Sequence, residues 1–191
     1  MNDVESLFDK EGQALLFRSF VEESFFEALR DGLNWEEETI VMFGKPLKVP
    51  RLVAYYGDYP YTYAGVEHPA VAMPDVLSLL CKKVERVARF SFNSVVCNFY
   101  RDEMDSMGYH RDNEPEMDTR CIASLSFGAP RRFRIRHRKT KESLGVDLGN
   151  GDLLLMINCQ EHWEHCIAKT KRPKEGRINL TYRRMMPRGV E

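Results

Sequence analysis

The chain has 191 residues, 43% of them hydrophobic and 30% charged, with a formal net charge of −1. That length and composition fit one globular domain with a sizeable core. No apolar run reaches membrane-spanning length, the first residues lack a signal peptide's cationic start and apolar core, and the five cysteines (Cys81, Cys97, Cys121, Cys159, Cys166) are scattered without a C-x-x-C pair. A zinc finger is therefore not expected, and the protein reads as reduced and cytoplasmic, or nuclear in a eukaryote.

Charge is uneven along the chain. Residues 1–42 carry three Lys/Arg and eleven Asp/Glu, a net of −8, and the remainder stands at +7. The basic part is compatible with a polyanionic partner without requiring one. The spacing predicts an amphipathic helix over 13–33, because Phe17, Val21, Phe25 and Leu29 recur at i+4. Trp35 to Val49 reads as strand and turn, broken at Gly44-Lys45-Pro46. The next segment gathers Tyr55, Tyr56, Tyr61 and Tyr63 beside Arg51. It reads either as a stacking surface for bases or as an aromatic-rich loop packed over the domain. A second amphipathic helix is expected over 74–89, with Pro74 near its start and Val76, Leu80, Val84 and Val87 on one side.

From residue 92 onward, short apolar runs separated by turn residues predict an all-β unit. Val95–Tyr100 reads as a strand on which Asn98 and Tyr100 share a face, and Ile122–Phe127 as another, closed by Gly128-Ala129-Pro130. Arg132, Arg134, Arg136 and Arg138 alternate with Phe133 and Ile135. That basic face, without interspersed acids, is either a solvated sheet surface or a set of phosphate contacts. Asn150-Gly151 signals a hairpin turn before the buried strand Leu153–Ile157.

Two clusters carry chemistry. His110 and Asp112 are two apart; on a strand they would point to one face, so an imidazole and a carboxylate could reach one metal. A second imidazole would complete the two-His-one-carboxylate set of non-haem Fe(II) oxygenases. The chain offers His162 or His165; position after the buried strand favours His165, but spacing leaves both open. Arg177, Asn179, Thr181 and Arg183 alternate with Ile178, Leu180 and Tyr182. Either this is an edge strand with its arginines in solvent, or the polar face points inward. Two guanidiniums in a cavity would need an anion, and a dicarboxylate would satisfy both forks.

Together, His110-Arg111-Asp112, His165 and Arg177-x-Asn179-x-Thr181-x-Arg183 resemble the AlkB family of Fe(II)/2-oxoglutarate-dependent dioxygenases. Asn98-Phe99-Tyr100, Ala123-Ser124-Leu125-Ser126-Phe127-Gly128-Ala129, and Pro50-Arg51 with Tyr55-Tyr56-Gly57-Asp58 match as well, so the likeness covers roughly residues 35 to 186. The twelve-residue step from His165 to Arg177 is similar to the family spacing and selects His165 over His162. The Tyr-Gly-Asp region resembles the subgroup that repairs alkylated bases.

The resemblance implies a mainly β chain with flanking helices (α+β), a single dioxygenase domain over 1–191. N-terminal helices and a nucleotide-recognition lid would occupy 13–90, and a double-stranded β-helix (jelly roll) 92–186. It implies Fe(II) on His110, Asp112 and His165. Arg177, with Asn98 and Tyr100, would hold the distal carboxylate of 2-oxoglutarate, with Asn179, Thr181 and Arg183 toward the other end. Tyr56 would contact a flipped base, with Glu114 close to it and Arg51 nearby; Arg132 and Arg134 would grip phosphate. The implied activity is oxidative demethylation of 1-methyladenine and 3-methylcytosine in DNA, and in RNA as a second nucleic acid. O2 would be consumed and formaldehyde released, with ascorbate supportive in vitro. Both bases are cationic, which a carboxylate at Glu114 favours, and damage that blocks pairing lowers the cost of flipping. Relatives often carry an acid after the H-x-D aspartate; this chain has Asn113. A monomer suffices and no membrane is implied. Two other readings remain: an oxygenase of this kind acting on RNA or a protein side chain, and a non-catalytic nucleic-acid-binding module.

Overall fold

The computed structural model describes residues 4–42, 44–63, 65–172 and 174–187. In chain order its elements are β1 (Val4–Phe8), β2 (Gln13–Phe17), α1 (Phe26–Gly32), β3 (Glu36–Met42), β4 (Lys45–Gly57), β5 (Tyr61–Tyr63), β6 (Val66–His68), α2 (Asp75–Ala88), β7 (Ser94–Tyr100), β8 (Met107–His110), β9 (Met117–Gly128), β10 (Arg131–His137), β11 (Ser143–Leu148), β12 (Leu153–Ile157), β13 (Trp163–Ile167) and β14 (Arg177–Met185). Eight strands form one sheet in the order β1-β2-β12-β9-β14-β7-β4-β3, four form a second in the order β11-β10-β13-β8, and β5-β6 is a separate hairpin. The two sheets make the jelly-roll sandwich, with the helices flanking it.

Strand periodicity sorts the residues into two layers. Ile178, Leu180 and Tyr182 join Val95, Cys97, Leu125, Phe127, Leu153 and Leu155 in a core with Leu29 of α1 and Leu77, Leu80 and Val84 of α2. The opposite parity, including Val96, Tyr100, Ile122, Leu154 and Met156, packs between the sheets on Phe133, Ile135, Leu148 and Ile167. Each buried leucine or isoleucine contributes about 1.5–3 kcal/mol. β14 lies inside the large sheet, bonded to β9 on one side and β7 on the other. The polar face of β14 therefore looks into the sandwich, and the edge-strand reading does not hold.

Several sequence expectations are corrected. The helix expected over 13–33 forms only at Phe26–Gly32. Gln13–Phe17 pairs instead with β12, from Leu153↔Phe17 to Ile157↔Gln13. Ala14 and Leu16 are fully buried and alternate with residues of the other layer, a strand's period that the i+4 spacing concealed. The buried stripe of α2 is Leu77, Leu80, Cys81 and Val84; Val87 is exposed. The break before β4 shrinks to Gly44, at φ 74, and Arg51 to Tyr56 are strand, paired with β7, rather than loop. The stretch 45–90 is thus divided. β4 belongs to the large sheet and α2 packs on its outer layer, while β5-β6 stands apart. The side chain of Tyr63 lies outside the described residues. Asn150-Gly151 does not close a hairpin, because β11 is in the small sheet and β12 in the large one; the turn crosses between sheets. Gly151 is required there: its φ is 74, and a Cβ would stand 1.9 Å from Val21 O. All five cysteines are free and buried. Among the described residues no helix is long and apolar enough to cross a membrane.

Candidate active site

His110 ends β8, and the register of β8 with β13 sets His165 directly across from it. Asp112 lies two residues past the strand, in irregular chain. The shared strand face expected for His110 and Asp112 is therefore replaced by a strand end and a loop. The Asp112 backbone N–H donates to Gln160 Oε1 at 3.0 Å and fixes that loop. One ligand atom from each of His110, Asp112 and His165 lies within 4.8 Å of the others. His110 Nδ1 is 2.9 Å from Gly108 O; a proton donated there leaves Nε2 free for a metal. The His165 ring stacks on Phe133, centroids 5.2 Å apart, and its Nε2 is 3.5 Å from Asp112 Oδ2.

The electrostatics suit metal ligation. Burial, reinforced by His110, pulls the His165 imidazole down to about 3. Burial lowers His110 too. Both rings are thus held in the neutral form that donates a lone pair. Burial alone would raise the Asp112 carboxyl, but Arg183, His165 and His110 outweigh it and hold it below the usual range. His162, the other candidate ligand, lies instead beside Glu11 and His137.

The same cavity is lined by Arg51, Asn98, Tyr100, Arg177, Asn179, Thr181 and Arg183. Arg177 Nη2 donates to Ser126 Oγ at 2.8 Å and the guanidinium lies 5.4 Å from the Tyr100 ring centre, while its Nε and Nη1 have no hydrogen-bond partner among the described residues. Burial pulls this guanidinium down to about 10. Asn179 Nδ2 donates to Ser124 Oγ at 2.7 Å, and Thr181 Oγ1 donates to Asn179 Oδ1 at 3.0 Å. Arg183 sits at a bulge between β14 and β9, which re-aims a side chain. Its Nη1 donates to Tyr61 Oη at 3.0 Å and its Nη2 to Asp112 Oδ1. Burial opposes the Arg183 charge, yet Asp112, Tyr61 and Glu114 hold its pKa above the usual guanidinium value. Buried polar atoms without partners are costly. Here two nitrogens of Arg177, and Asp112 Oδ2, have no hydrogen bond among the described residues. The first fits a carboxylate and the second a cation.

The expected substrate contacts fare unevenly. Tyr56 points to the helix-side layer and its hydroxyl accepts the Asn34 N–H at 3.1 Å, so it does not reach the cavity. Strand parity explains this: Arg51 and Val53 face the cavity, and Tyr56 has the opposite parity. Tyr61 is the tyrosine at the site. Its hydroxyl donates to Glu114 Oε1 at 2.9 Å, and its ring stacks on Tyr55 and His68. Glu114 keeps a buried Oε2 without a partner. Arg51 is buried and donates from Nε to Asn98 Oδ1 at 2.6 Å, an internal role. Arg132 and Arg134 are exposed on β10. The acid-free run acquires acids from neighbouring strands: Asp147 lies 3.7 Å from Arg132 and Glu164 2.6 Å from Arg136. Arg134 has no ion pair among the described residues. Sequence reasoning missed Gln160 and Glu38. Glu38 is buried in the cavity wall at a β3-β4 irregularity, and bonds His68 Nε2 at 2.8 Å.

The family model described as the 2OG-Fe(II) oxygenase superfamily matches residues 16–183. The chain is 38% identical over 178 residues to alpha-ketoglutarate-dependent dioxygenase alkB homolog 3 of Bos taurus, covering 86% of this chain and 62% of that protein. It is 37% identical over 174 residues to the Homo sapiens alkB homolog 3, covering 84% and 60%. Over 160 residues it is 38% identical to DNA oxidative demethylase ALKBH2 of Mus musculus, covering 78% and 67%. The chain thus spans about three-fifths of the length of the alkB homolog 3 proteins it matches. The solved structure of OsALKBH1 superposes with a TM-score of 0.65 at 15% identity, covering 94% of this chain and 100% of that one, a likeness of fold.

Proposed function

The chain belongs to the AlkB family of the 2OG-Fe(II) oxygenase superfamily, and on that premise we propose that it is an oxidative demethylase. Its substrates are 1-methyladenine and 3-methylcytosine in nucleic acid, DNA before RNA. The observation that carries this reading is a single cavity in which an unpaired Asp112 oxygen beside two neutral imidazoles lies near an arginine with unpaired donors. The name of the mouse relative, a DNA oxidative demethylase, supports the choice of DNA.

In this reading His110, His165 and Asp112 Oδ2 hold Fe(II), the preference of a two-His-one-carboxylate set. Arg183 holds Asp112 Oδ1 and so directs the other oxygen to the metal. Arg177 offers its free Nε and Nη1 to the distal carboxylate of 2-oxoglutarate, beside Asn98 and Tyr100. Asn179 and Thr181 keep the inner face of β14 ordered through their mutual bond. When bound, iron with 2-oxoglutarate and O2 supplies the oxidant that hydroxylates an N-methyl carbon; CO2 and succinate are formed, and the hydroxymethyl group leaves as formaldehyde.

Base recognition falls to Tyr61 and Glu114. Glu114 turns a buried oxygen without a hydrogen-bond partner among the described residues toward this side of the site, and a carboxylate there would favour a cationic methylated base electrostatically. The base leaves the stack to reach the site. The β5-β6 hairpin, which carries Tyr61, acts as the lid over it. Arg132 and Arg134 meet phosphate.

Succinate formation from 2-oxoglutarate tests the substrate class, using matched DNA and RNA oligonucleotides with and without one 3-methylcytosine. The expected result is stimulation by the methylated strand only, stronger for DNA. Equal turnover with and without the methylated strand would overturn the substrate assignment.

A further inference from the structure

A second cluster of metal-ligating side chains lies outside that cavity. Glu11, His137 and His162 each bring one ligand atom, all within 4.8 Å of one another. They come from the turn between β1 and β2, the last residue of β10 and the turn before β13. His137 is 3% exposed. Its Nε2 lies 2.7 Å from Glu11 Oε2, and His162 Nδ1 lies 3.7 Å from Glu11 Oε1. The two imidazole planes are 3° from parallel, with centroids 6.3 Å apart. Demethylation has no use for any of the three.

We propose that Glu11, His137 and His162 form a second metal site, for a divalent cation of the zinc class, separate from the His110/Asp112/His165 centre. Two imidazole nitrogens and a carboxylate oxygen suit zinc, with water completing the shell. Ligand atoms around tetrahedral zinc stand roughly 3.3 Å apart; the Glu11 carboxylate meets His137 through Oε2 at 2.7 Å and His162 through Oε1 at 3.7 Å, so a small turn of the carboxylate brings one oxygen into a shared set. Glu11 and His162 are partly exposed, at 37% and 27% of their side chains, so a cation can enter and both can adjust. A ring bound to metal through Nε2 would carry its proton on Nδ1, where Thr140 Oγ1, 3.0 Å away, can accept the N–H in place of the present Thr140 N–H bond, the outer contact that metal-bound imidazoles need. Without metal, Nδ1 accepts the Thr140 N–H at 3.0 Å and the ring proton sits on Nε2, toward Glu11. Cation binding therefore shifts one proton across the ring and replaces the His137–Glu11 hydrogen bond.

The site also couples to the first one. Trp163 Nε1 donates to Lys10 O at 3.1 Å, and Phe8 stacks on Trp163 at 4.1 Å, so the amino-terminal hairpin is already seated beside His162. Gln160, two residues before His162, accepts the Asp112 N–H, and His165 follows three residues after. A cation here braces the segment that forms one wall of the catalytic cavity.

Equilibrium dialysis of metal-free protein against Zn2+, with metal content measured directly, tests the proposal. The proteins are wild type, Asp112→Ala, Glu11→Gln and His162→Asn, each checked for folding by its thermal melt. The expected result is about two equivalents in wild type and about one in each variant. One equivalent in wild type that His162→Asn keeps and Asp112→Ala loses would overturn the second site. So would two equivalents retained by both Glu11→Gln and His162→Asn. One equivalent that Asp112→Ala keeps and His162→Asn loses would support the second site and contradict the iron assignment instead.

Discussion

Asp112 and Arg183 form a buried pair with different remaining needs: Asp112 keeps one oxygen unpaired and Arg183 keeps Nε unpaired. Asp112→Asn removes the charge that both Arg183 and a cation require. It should abolish metal retention at the His110/Asp112/His165 centre and, because it strands a buried guanidinium, cost about 3–5 kcal/mol in a denaturant melt. Arg177→Lys keeps a charge but loses the planar fork. Hydrogen bonds to charged groups contribute about 1.5–3 kcal/mol, so the KM for 2-oxoglutarate should rise roughly 10- to 100-fold in a succinate assay while kcat changes less. Tyr61→Phe keeps the stack on Tyr55 and His68 but leaves Glu114 Oε1 and Arg183 Nη1 without their hydroxyl, and should lower stability by about 1–3 kcal/mol. At this scale the ligands and arginines were legible in the chain because metal and carboxylate chemistry admits few residue types. The family likeness points to Tyr56, whereas Tyr61 lines the cavity; the two tyrosines differ in strand parity and hairpin placement, which the residues alone do not show. Gln160 and Glu38 left no signal: one acts from a turn through its side-chain amide, the other is turned inward at an irregular pairing.

The alternation of β14 is the element on which the site depends. Ile178, Leu180 and Tyr182 seal it to the helix side, so Arg177, Asn179, Thr181 and Arg183 can face only the sandwich interior. That pattern was readable from residues alone; its inward direction was not, since alternation is the same for an edge and a central strand. β2 departs from the helix that its spacing predicts for a related reason: a five-residue strand and the first turn of a helix share apolar residues, and only pairing with β12 decides between them. The Asn150-Gly151 turn was legible as a turn and not as a crossover, because the partners of β11 and β12 are remote in sequence. Gly151→Ala should be severe, as the new Cβ meets the Val21 carbonyl at a φ that L-residues rarely adopt. A loss of about 2–4 kcal/mol is expected in thermal or denaturant unfolding.

Across the whole molecule, the small sheet brings His110 and His165, the large sheet brings the arginines, and the cavity lies where the two meet. Metal and cosubstrate therefore bind the assembled sandwich and not the unfolded chain. Mn2+ with 2-oxoglutarate, at about 100 times their dissociation constants, should stabilise wild type by about 2.7 kcal/mol per bound ligand; the contribution of metal at the His110/Asp112/His165 centre should vanish in Asp112→Asn. If Arg134, exposed and without an ion pair among the described residues, meets phosphate as proposed, Arg134→Ala should lower the slope of log K against log salt by about one. Formaldehyde release from a 3-methylcytosine oligonucleotide with Fe(II), ascorbate and 2-oxoglutarate decides whether this chain is a demethylase. Release that disappears both in Asp112→Ala and without 2-oxoglutarate is the predicted result. Absence of formaldehyde from folded, iron-loaded wild-type protein, or release that Asp112→Ala leaves intact, would contradict it.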